Sequence, residues 1–111
     1  MKLPNAENAF VDIRKLRDYC LNMEHLRGRD KARVFAATLG LTADDAQELQ
    51  AAILEAALSR PAHPARTDAY GQRFAVDFVF KRGQRTATIR TSWIIRRGED
   101  FPRLTSCYVL V

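Results

Sequence analysis

The hydrophobic periodicity of the chain changes only once, and this change is the feature that most restricts its fold. Up to about residue 59, apolar residues recur every three to four positions, which is the spacing of one face of an amphipathic helix. From about residue 72 onward they alternate with polar residues, as on one face of a β-strand. Helices followed by strands are typical of the α+β class. We therefore predict about three helices packed on one face of an antiparallel sheet of three to four strands.

Start and stop signals divide residues 10–59 into about three helices. Asp12 is expected to cap the first helix and Asp30 the second, because an N-cap oxygen accepts a hydrogen bond from an unpaired amide. Gly40 is expected to end the second helix, and Thr42 and Asp45 form a capping-box pattern at the start of the third. The predicted apolar faces consist of Ile13, Leu16 and Cys20, of Ala32, Phe35 and Leu39, and of Ala46, Leu49, Ile53, Ala56 and Ala57.

Alternation predicts three strands within residues 72–111, and the length of two of them predicts strong twist or a bulge. Leu3 could add a short edge strand, and a turn at residues 81–84 is expected to form a hairpin. Residues 59–73 contain prolines and a glycine, and we interpret them as a surface connection. The residues expected to face the helices are Phe74, Val76, Phe78 and Phe80, then Ala87, Ile89, Thr91, Trp93 and Ile95. The last strand alternates Leu104, Ser106, Tyr108 and Leu110 with Thr105, Cys107, Val109 and Val111.

The composition is that of one globular domain over residues 1–111. The chain has no apolar run of about 20 residues and no secretory-signal pattern, so we expect a cytoplasmic location and no membrane partner. Cys20 and Cys107 are interpreted as buried free thiols, with a catalytic or bridging pair as the alternative. We expect no metal site and no cofactor, because the sequence has no nucleotide-binding loop, metal-ligand set or carboxylate pair.

Positive charge is concentrated in the second half of the chain. The net charge is +5, and residues 61–111 carry nine basic and four acidic side chains, whereas residues 1–60 carry nine of each. Excess positive charge favours anionic partners such as nucleic acids. The alternative is that the charge serves only solubility, since a value of this size is normal for a small domain.

The sheet face opposite the helices is the first candidate site. It is expected to carry Arg90, Ser92 and Arg96, joined by Thr105 or Ser106 according to the strand register. Arginines neutralise phosphate charge and hydroxyl groups donate hydrogen bonds to phosphate oxygens, so this face could bind a phosphodiester. The alternative is an ordinary exposed strand face, which has the same composition.

The stretch EHLRGRDKARVF, residues 24–35, is the second candidate site. Arg27, Arg29 and Lys31 surround the predicted start of a helix, where unpaired amides and the helix dipole favour an anion. His25 lies beside them, and histidine is the residue type that most often acts as a general acid or base. Asp30 would bring a negative charge to the same place, so a solvated basic loop is the alternative.

Five stretches resemble a family of small, uncharacterised bacterial domains, and together they cover nearly the whole chain. They are LPNA (3–6), DIRKLRDYCLN (12–22), HLRGRDKARVFAATLGLT (25–42), YGQRFAVDF (70–78) and SWIIRRGEDFPRLTSCYVL (92–110). Such domains occur beside a small partner protein or in phage-associated proteins, which resembles a toxin–antitoxin arrangement. The order of helices and strands is also similar to that of ribonuclease toxins of the barnase, colicin and RelE type.

The resemblance implies a toxin-like, metal-independent ribonuclease that acts on RNA and is masked by a small neutral or acidic antitoxin-like protein. In this hypothesis His25 is the base or acid, Lys31 or Arg103 stabilises the pentavalent phosphate, and Thr105 orients the substrate. Trp93 could stack on a base, with core packing as the alternative. The expected nucleic-acid contacts are Arg27, Arg29, Arg90, Ser92, Arg96 and Tyr108. The alternative function is a non-catalytic module that binds a partner protein or nucleic acid.

Overall fold

The computed structural model describes residues 1–111 and confirms the α+β class. Its helices are α1 (Ile13–Lys15), which continues as a π-helical turn (Leu16–Cys20), α2 (Arg29–Leu39) and α3 (Ala46–Ser59). Its strands are β1 (Ala62–Asp68), β2 (Gly71–Arg82), β3 (Arg85–Arg96) and β4 (Arg103–Leu110). Short 3-10 turns, Ala6–Asn8 and Ala43–Asp45, precede α1 and α3. None of these helices has the length and apolar character needed to cross a membrane.

The four strands form an antiparallel meander in the order β1-β2-β3-β4. The central pair, β2 and β3, is hydrogen bonded along its full length. Gly83 and Gln84 connect these strands, and Gly83 has the positive φ of 63° that a two-residue hairpin turn of this kind needs at its first position. The hairpin predicted at residues 81–84 is confirmed, but its loop has two residues rather than about four.

The interpretation of residues 59–73 as a surface connection is wrong, because β1 lies within them and pairs with β2. Nearly all of β1 is solvent-exposed, and only Ala62 is buried. An edge strand with neither face in the core shows no apolar alternation, and Pro64 is tolerated because an edge strand has one unpaired side. The predicted edge strand at Leu3 is also absent, although Lys2 forms a single bridge with Pro61.

The helices cover one face of the sheet, and the predicted apolar faces meet there in one core. All the predicted apolar residues of α2, α3 and β2 are buried. Trp93 is only 1% exposed, its indole N–H donates to Thr91 Oγ1 at 2.8 Å, and that hydroxyl donates to the Val76 carbonyl at 2.7 Å. A buried indole with its donor satisfied is a packing residue. The core alternative for Trp93 is therefore confirmed.

A bulge interrupts the pairing of β3 with β4, as the strand lengths predicted. Ser92 pairs with Ser106 but Trp93 pairs with Leu104, so Thr105 is the extra residue. The simple alternation predicted for this strand is therefore wrong at its start, because Leu104 faces the core together with Cys107. A bulge of this kind re-aims side chains, and it turns Thr105 and Ser106 toward the same groove.

Candidate functional site

A groove with a volume of about 630 Å³ lies between α1 with its π-helical turn, the loop before α2, and the bulge of β4. We call it the Lys31 groove. It is lined by Asp12, Arg14, Lys15, Tyr19, His25, Arg27, Lys31, Thr105 and Ser106. The Lys31 groove thus combines polar residues of the helical half with polar residues of the sheet. It contains part of each of the two candidate sites that the sequence predicted.

Lys31, in the first turns of α2, has polar and aromatic contacts but no carboxylate within ion-pair distance. Its ammonium group donates to Ser106 Oγ at 3.1 Å and lies 5.6 Å from the ring centre of Tyr19 and 5.5 Å from that of Tyr108. Aromatic faces attract a cation without neutralising it. Lys31 is therefore held in position without an anionic partner, so it can attract an incoming anion.

Three cations of the Lys31 groove have no carboxylate within ion-pair distance: Lys15, Arg27 and Lys31. The groove's other cation, Arg14, pairs with Asp12 at 2.8 Å. Hydrogen bonds from Arg14 lower the pKa of Asp12 to about 2, so this pair stays ionised and cancels its own charge. The groove therefore has an excess of positive charge.

His25 holds the loop before α2 in shape. Its Nδ1 accepts hydrogen bonds from the backbone amides of Arg27 and Gly28, both at 3.1 Å, and its ring packs edge-on against Tyr19 at 4.8 Å. The prediction that Asp30 caps α2 is wrong, since no side chain caps that helix at its N-cap position. Because Nδ1 supplies the lone pair to two amides, the ring proton lies on Nε2. In this form His25 is a hydrogen-bond donor to the groove rather than a base.

We predict that His25→Ala lowers the free energy of unfolding by about 1 to 2 kcal/mol, because two loop amides lose their acceptor. His25→Asn, which retains a side-chain acceptor, should cost clearly less. Urea denaturation of the three proteins measures the difference. Equal stability of the wild type and His25→Ala would mean that the imidazole does not support the loop.

Gly28 brings the same loop against the π-helical turn. A Cβ atom at this position would overlap the carbonyl oxygen of Tyr19 and lie 3.0 Å from its carbonyl carbon. Only glycine permits such an approach of two backbones. The contact keeps His25 and Arg27 at the edge of the Lys31 groove.

A second cleft, of about 490 Å³, lies on the outer face of the sheet and joins the Lys31 groove. Three residues line both: Lys31, Thr105 and Ser106. Ser92 and Tyr108, two of the predicted nucleic-acid contacts, line this outer cleft. Its arginines, Arg66 and Arg73, both pair with Asp68, and hydrogen bonds led by that from Arg73 lower the pKa of Asp68 to about 2. The outer cleft therefore extends the groove, and because two arginines share a single carboxylate, they leave an excess of positive charge there as well.

Two of the predicted arginines are held in two-point ion pairs. Arg90 donates to both carboxylate oxygens of Asp77, and Arg103 donates to both of Glu99, all at 2.9 Å. These contacts raise the pKa of each arginine and lower that of each carboxyl group. Compensated arginines attract phosphate less strongly than Lys31, which has no such partner.

The predicted site residues fall into separate places. His25, Arg27, Lys31 and Thr105 line the Lys31 groove. Arg103 does not join them, because it lies with Arg96 in a smaller adjacent pocket. Two predicted residues, Arg29 and Arg90, line none of these pockets. No cluster of three or more His, Cys, Asp or Glu side chains is present.

Lys15 and Tyr19 are two groove residues that were not predicted from the sequence. Both lie beside the apolar face formed by Leu16 and Cys20, so they are directed away from the centre of the core. The helical spacing indicates this polar side, but nothing in a linear pattern shows that it borders β4. That juxtaposition depends on tertiary packing.

Comparison with known proteins gives one informative result. The family model of a domain of unknown function (DUF6883) matches residues 2–111. No curated protein and no solved structure gives a significant match. The expected resemblance to an uncharacterised domain family is confirmed, and any function has to be inferred from the Lys31 groove.

Proposed function

Because the chain belongs to this family of unknown function, we propose an activity from the groove itself: the domain binds single-stranded RNA and holds its backbone phosphates around Lys31. The observation that carries the proposal is the convergence of Lys15, Arg27 and Lys31, without acidic partners, on one groove. Uncompensated cations attract a phosphate backbone irrespective of base sequence. Here they come from three successive segments and surround a concave surface.

The groove also supplies hydrogen-bond donors for a phosphate group. Lys31 Nζ and Ser106 Oγ lie 3.1 Å apart, so one phosphate oxygen could contact both. The Nε2–H group of His25 adds a further donor. Thr105 is a weaker donor, since its hydroxyl already donates to the Ser92 carbonyl at 3.1 Å.

Aromatic surface beside the cations favours a single strand over a duplex. Tyr19 lines the Lys31 groove and Tyr108 lines the outer cleft, one on each side of Lys31. Unpaired bases stack on such rings, whereas the bases of a duplex are already stacked on each other. The joined groove and outer cleft would offer the strand a continuous path.

A second candidate function is RNA cleavage, favoured by the location of His25, Lys31 and Thr105 along one groove. The ribose 2′-oxygen would attack phosphorus and the 5′-oxygen would leave, giving a 2′,3′-cyclic phosphate. Lys31 would stabilise the pentavalent phosphate. The hydrogen bonds at Nδ1 make His25 a donor in this scheme, so a different group would have to accept the 2′-proton. In the toxin-like form of this candidate, a small acidic partner protein would mask the groove.

Binding can be measured by fluorescence anisotropy of a labelled single-stranded RNA over a series of salt concentrations. Three phosphate contacts on a single strand predict a slope of about −2 for the logarithm of the association constant against that of salt. A slope near zero, or equal binding of an uncharged peptide-nucleic-acid strand, would contradict the proposal. The measurement uses the full chain in buffer with a chelator.

Electrophoresis of the same samples separates the two candidates. Intact RNA after prolonged incubation supports binding alone, whereas fragments ending in a cyclic phosphate support cleavage. A strand with one 2′-deoxy position is the matched control, because it binds through the same phosphates but cannot be cut at that position. Cleavage that persists at the deoxy position would contradict the 2′-oxygen mechanism.

A further inference from the structure

A smaller cavity, of about 200 Å³, adjoins the Lys31 groove between the segment before α1, the end of β3 and the start of β4. We call it the Phe10 pocket, and the residues that define it are Phe10, Lys15, Ile94, Arg96, Arg103 and Leu104. Lys15 and Thr105 line both the groove and this pocket, whereas Lys31 and Ser106 line the groove and the outer cleft. The groove is therefore the middle one of three joined cavities.

Phe10 is fixed in position although much of its ring is exposed. Its backbone amide donates to the Pro102 carbonyl at 2.9 Å, and its carbonyl accepts from the Leu104 amide at 3.0 Å. The Arg103 guanidinium lies 5.4 Å from the centre of the ring, yet Phe10 remains 46% exposed. A fixed ring with open surface suits the stacking of a base, because little of the protein has to become ordered when the base binds.

The Phe10 pocket has an apolar floor and a cationic rim. Ile94 and Leu104 are buried, whereas Lys15 is half-buried and Arg96 is exposed. Neither of these two cations has a carboxylate within ion-pair distance. Asp12, the one carboxylate in the lining, already has an arginine partner. A nucleotide is divided in the same way, since its base is flat and largely apolar on its faces and its phosphate is anionic.

We propose that the Phe10 pocket binds one base of the single-stranded RNA that the Lys31 groove holds, with the adjoining phosphate at Lys15 and Arg96. The inference rests on the proposed RNA binding and adds a nucleotide subsite at one end of the groove. It is carried by the presence of a fixed aromatic ring, an apolar floor and two unpaired cations in one cavity. The phosphate backbone alone would use the cations and leave the ring and the floor without a contact.

The test measures binding of labelled RNA strands in which a single abasic residue is placed at each position in turn. An abasic residue keeps its phosphate but has no base, so the loss of affinity reports the stacking of that base. At the position that occupies the Phe10 pocket, the loss should be about tenfold in the wild type and should disappear in Phe10→Leu. If no abasic position gives a different loss in the two proteins, the pocket does not bind a base.

Phe101→Leu is the matched control for Phe10→Leu. Phe101 also packs on the Arg103 guanidinium, at 4.8 Å from its ring centre, but it lines none of the cavities. With unmodified RNA, Phe10→Leu should bind about tenfold more weakly than the wild type, and Phe101→Leu should bind nearly as well. Equal losses in the two variants would mean that the effect comes from Arg103, and the proposal would fail.

A charge reversal at the rim gives a second measurement, which stands if Phe10→Leu does not fold. Arg96 lines the pocket, whereas its neighbour Arg97 is exposed, makes no ion pair and lines no cavity. Arg96→Glu should weaken RNA binding about tenfold, and Arg97→Glu only slightly, through the overall field of the protein. Absence of RNA binding by the wild type would contradict both proposals. Binding by the wild type with equal affinities for the two arginine variants would contradict the Phe10 subsite alone.

Discussion

Lys31→Glu is expected to weaken binding of single-stranded RNA about a hundredfold. The substitution removes an ammonium group that has no acidic partner, breaks its hydrogen bond to Ser106, and introduces a negative charge between Tyr19 and Tyr108. A hydrogen bond to a charged group contributes about 1.5 to 3 kcal/mol, and about 2.7 kcal/mol corresponds to a factor of one hundred in affinity. Fluorescence anisotropy at one fixed salt concentration measures the change.

Lys81→Glu is the matched control for this experiment. Lys81 lies on the exposed end of β2, makes no ion pair, and lines no part of the groove or of the outer cleft. The same charge reversal at this position should weaken binding only slightly, through the overall field of the protein. Equal losses in the two variants would show that binding follows net charge and not the Lys31 groove. Circular dichroism of both variants establishes that they remain folded.

Gly28→Ala is expected to lower the free energy of unfolding by about 3 kcal/mol, near the upper end of the cost of overpacking. The added methyl group would overlap the Tyr19 carbonyl oxygen, so either the loop or the π-helical turn has to move. A loss of this size would lower the melting temperature of a domain this small by roughly 12 °C or more. Thermal and urea denaturation measure it directly.

Gly98→Ala separates this steric cost from the general effect of replacing a glycine. Gly98 has a positive φ of 82°, but no atom lies within 4 Å of the added methyl group. Its substitution should cost only about 1 kcal/mol of backbone strain. A Gly28→Ala protein as stable as Gly98→Ala would contradict the close packing of the loop on Tyr19. If Gly28→Ala folds, it should also bind RNA less tightly, because the loop carries His25 and Arg27.

The helices were the more predictable half of the fold, because their signals are local. Asp12 accepts a hydrogen bond from the amide of Arg14, as expected of an N-cap, and Thr42 and Asp45 form the predicted capping box. Gly40 ends α2 in the left-handed conformation. The one failure was Asp30, where His25 satisfies two nearby loop amides from outside the helix. No propensity rule anticipates an acceptor of that kind.

The sheet was less predictable where pairing, rather than side-chain pattern, sets the structure. β1 has almost no buried face, so its strand conformation follows from hydrogen bonds to β2 and leaves no trace in the order of apolar residues. The bulge at Thr105 likewise comes from the register of β4 against β3. Both depend on a neighbouring strand that sequence reasoning cannot align.

The basic side chains could be counted from the sequence, but which of them lack an acidic partner could not be predicted. Arg90 and Arg103 are cationic as expected, yet Asp77 and Glu99 compensate them, whereas Lys15 and Lys31 have no such partners. Asp77 is far from Arg90 in sequence and reaches it only because β2 and β3 pair in that register. Whether a charge is free depends on which side chains come within a few ångströms of it.

The class of the fold, the inward faces of the helices and the burial of Trp93 could be derived from residue order, because periodicity and apolar burial act over short stretches of chain. The meeting of Lys15, Lys31 and Ser106 in one groove could not. These contacts join residues that are distant along the chain, and they arise only when the packing of helices on the sheet sets the distances between them.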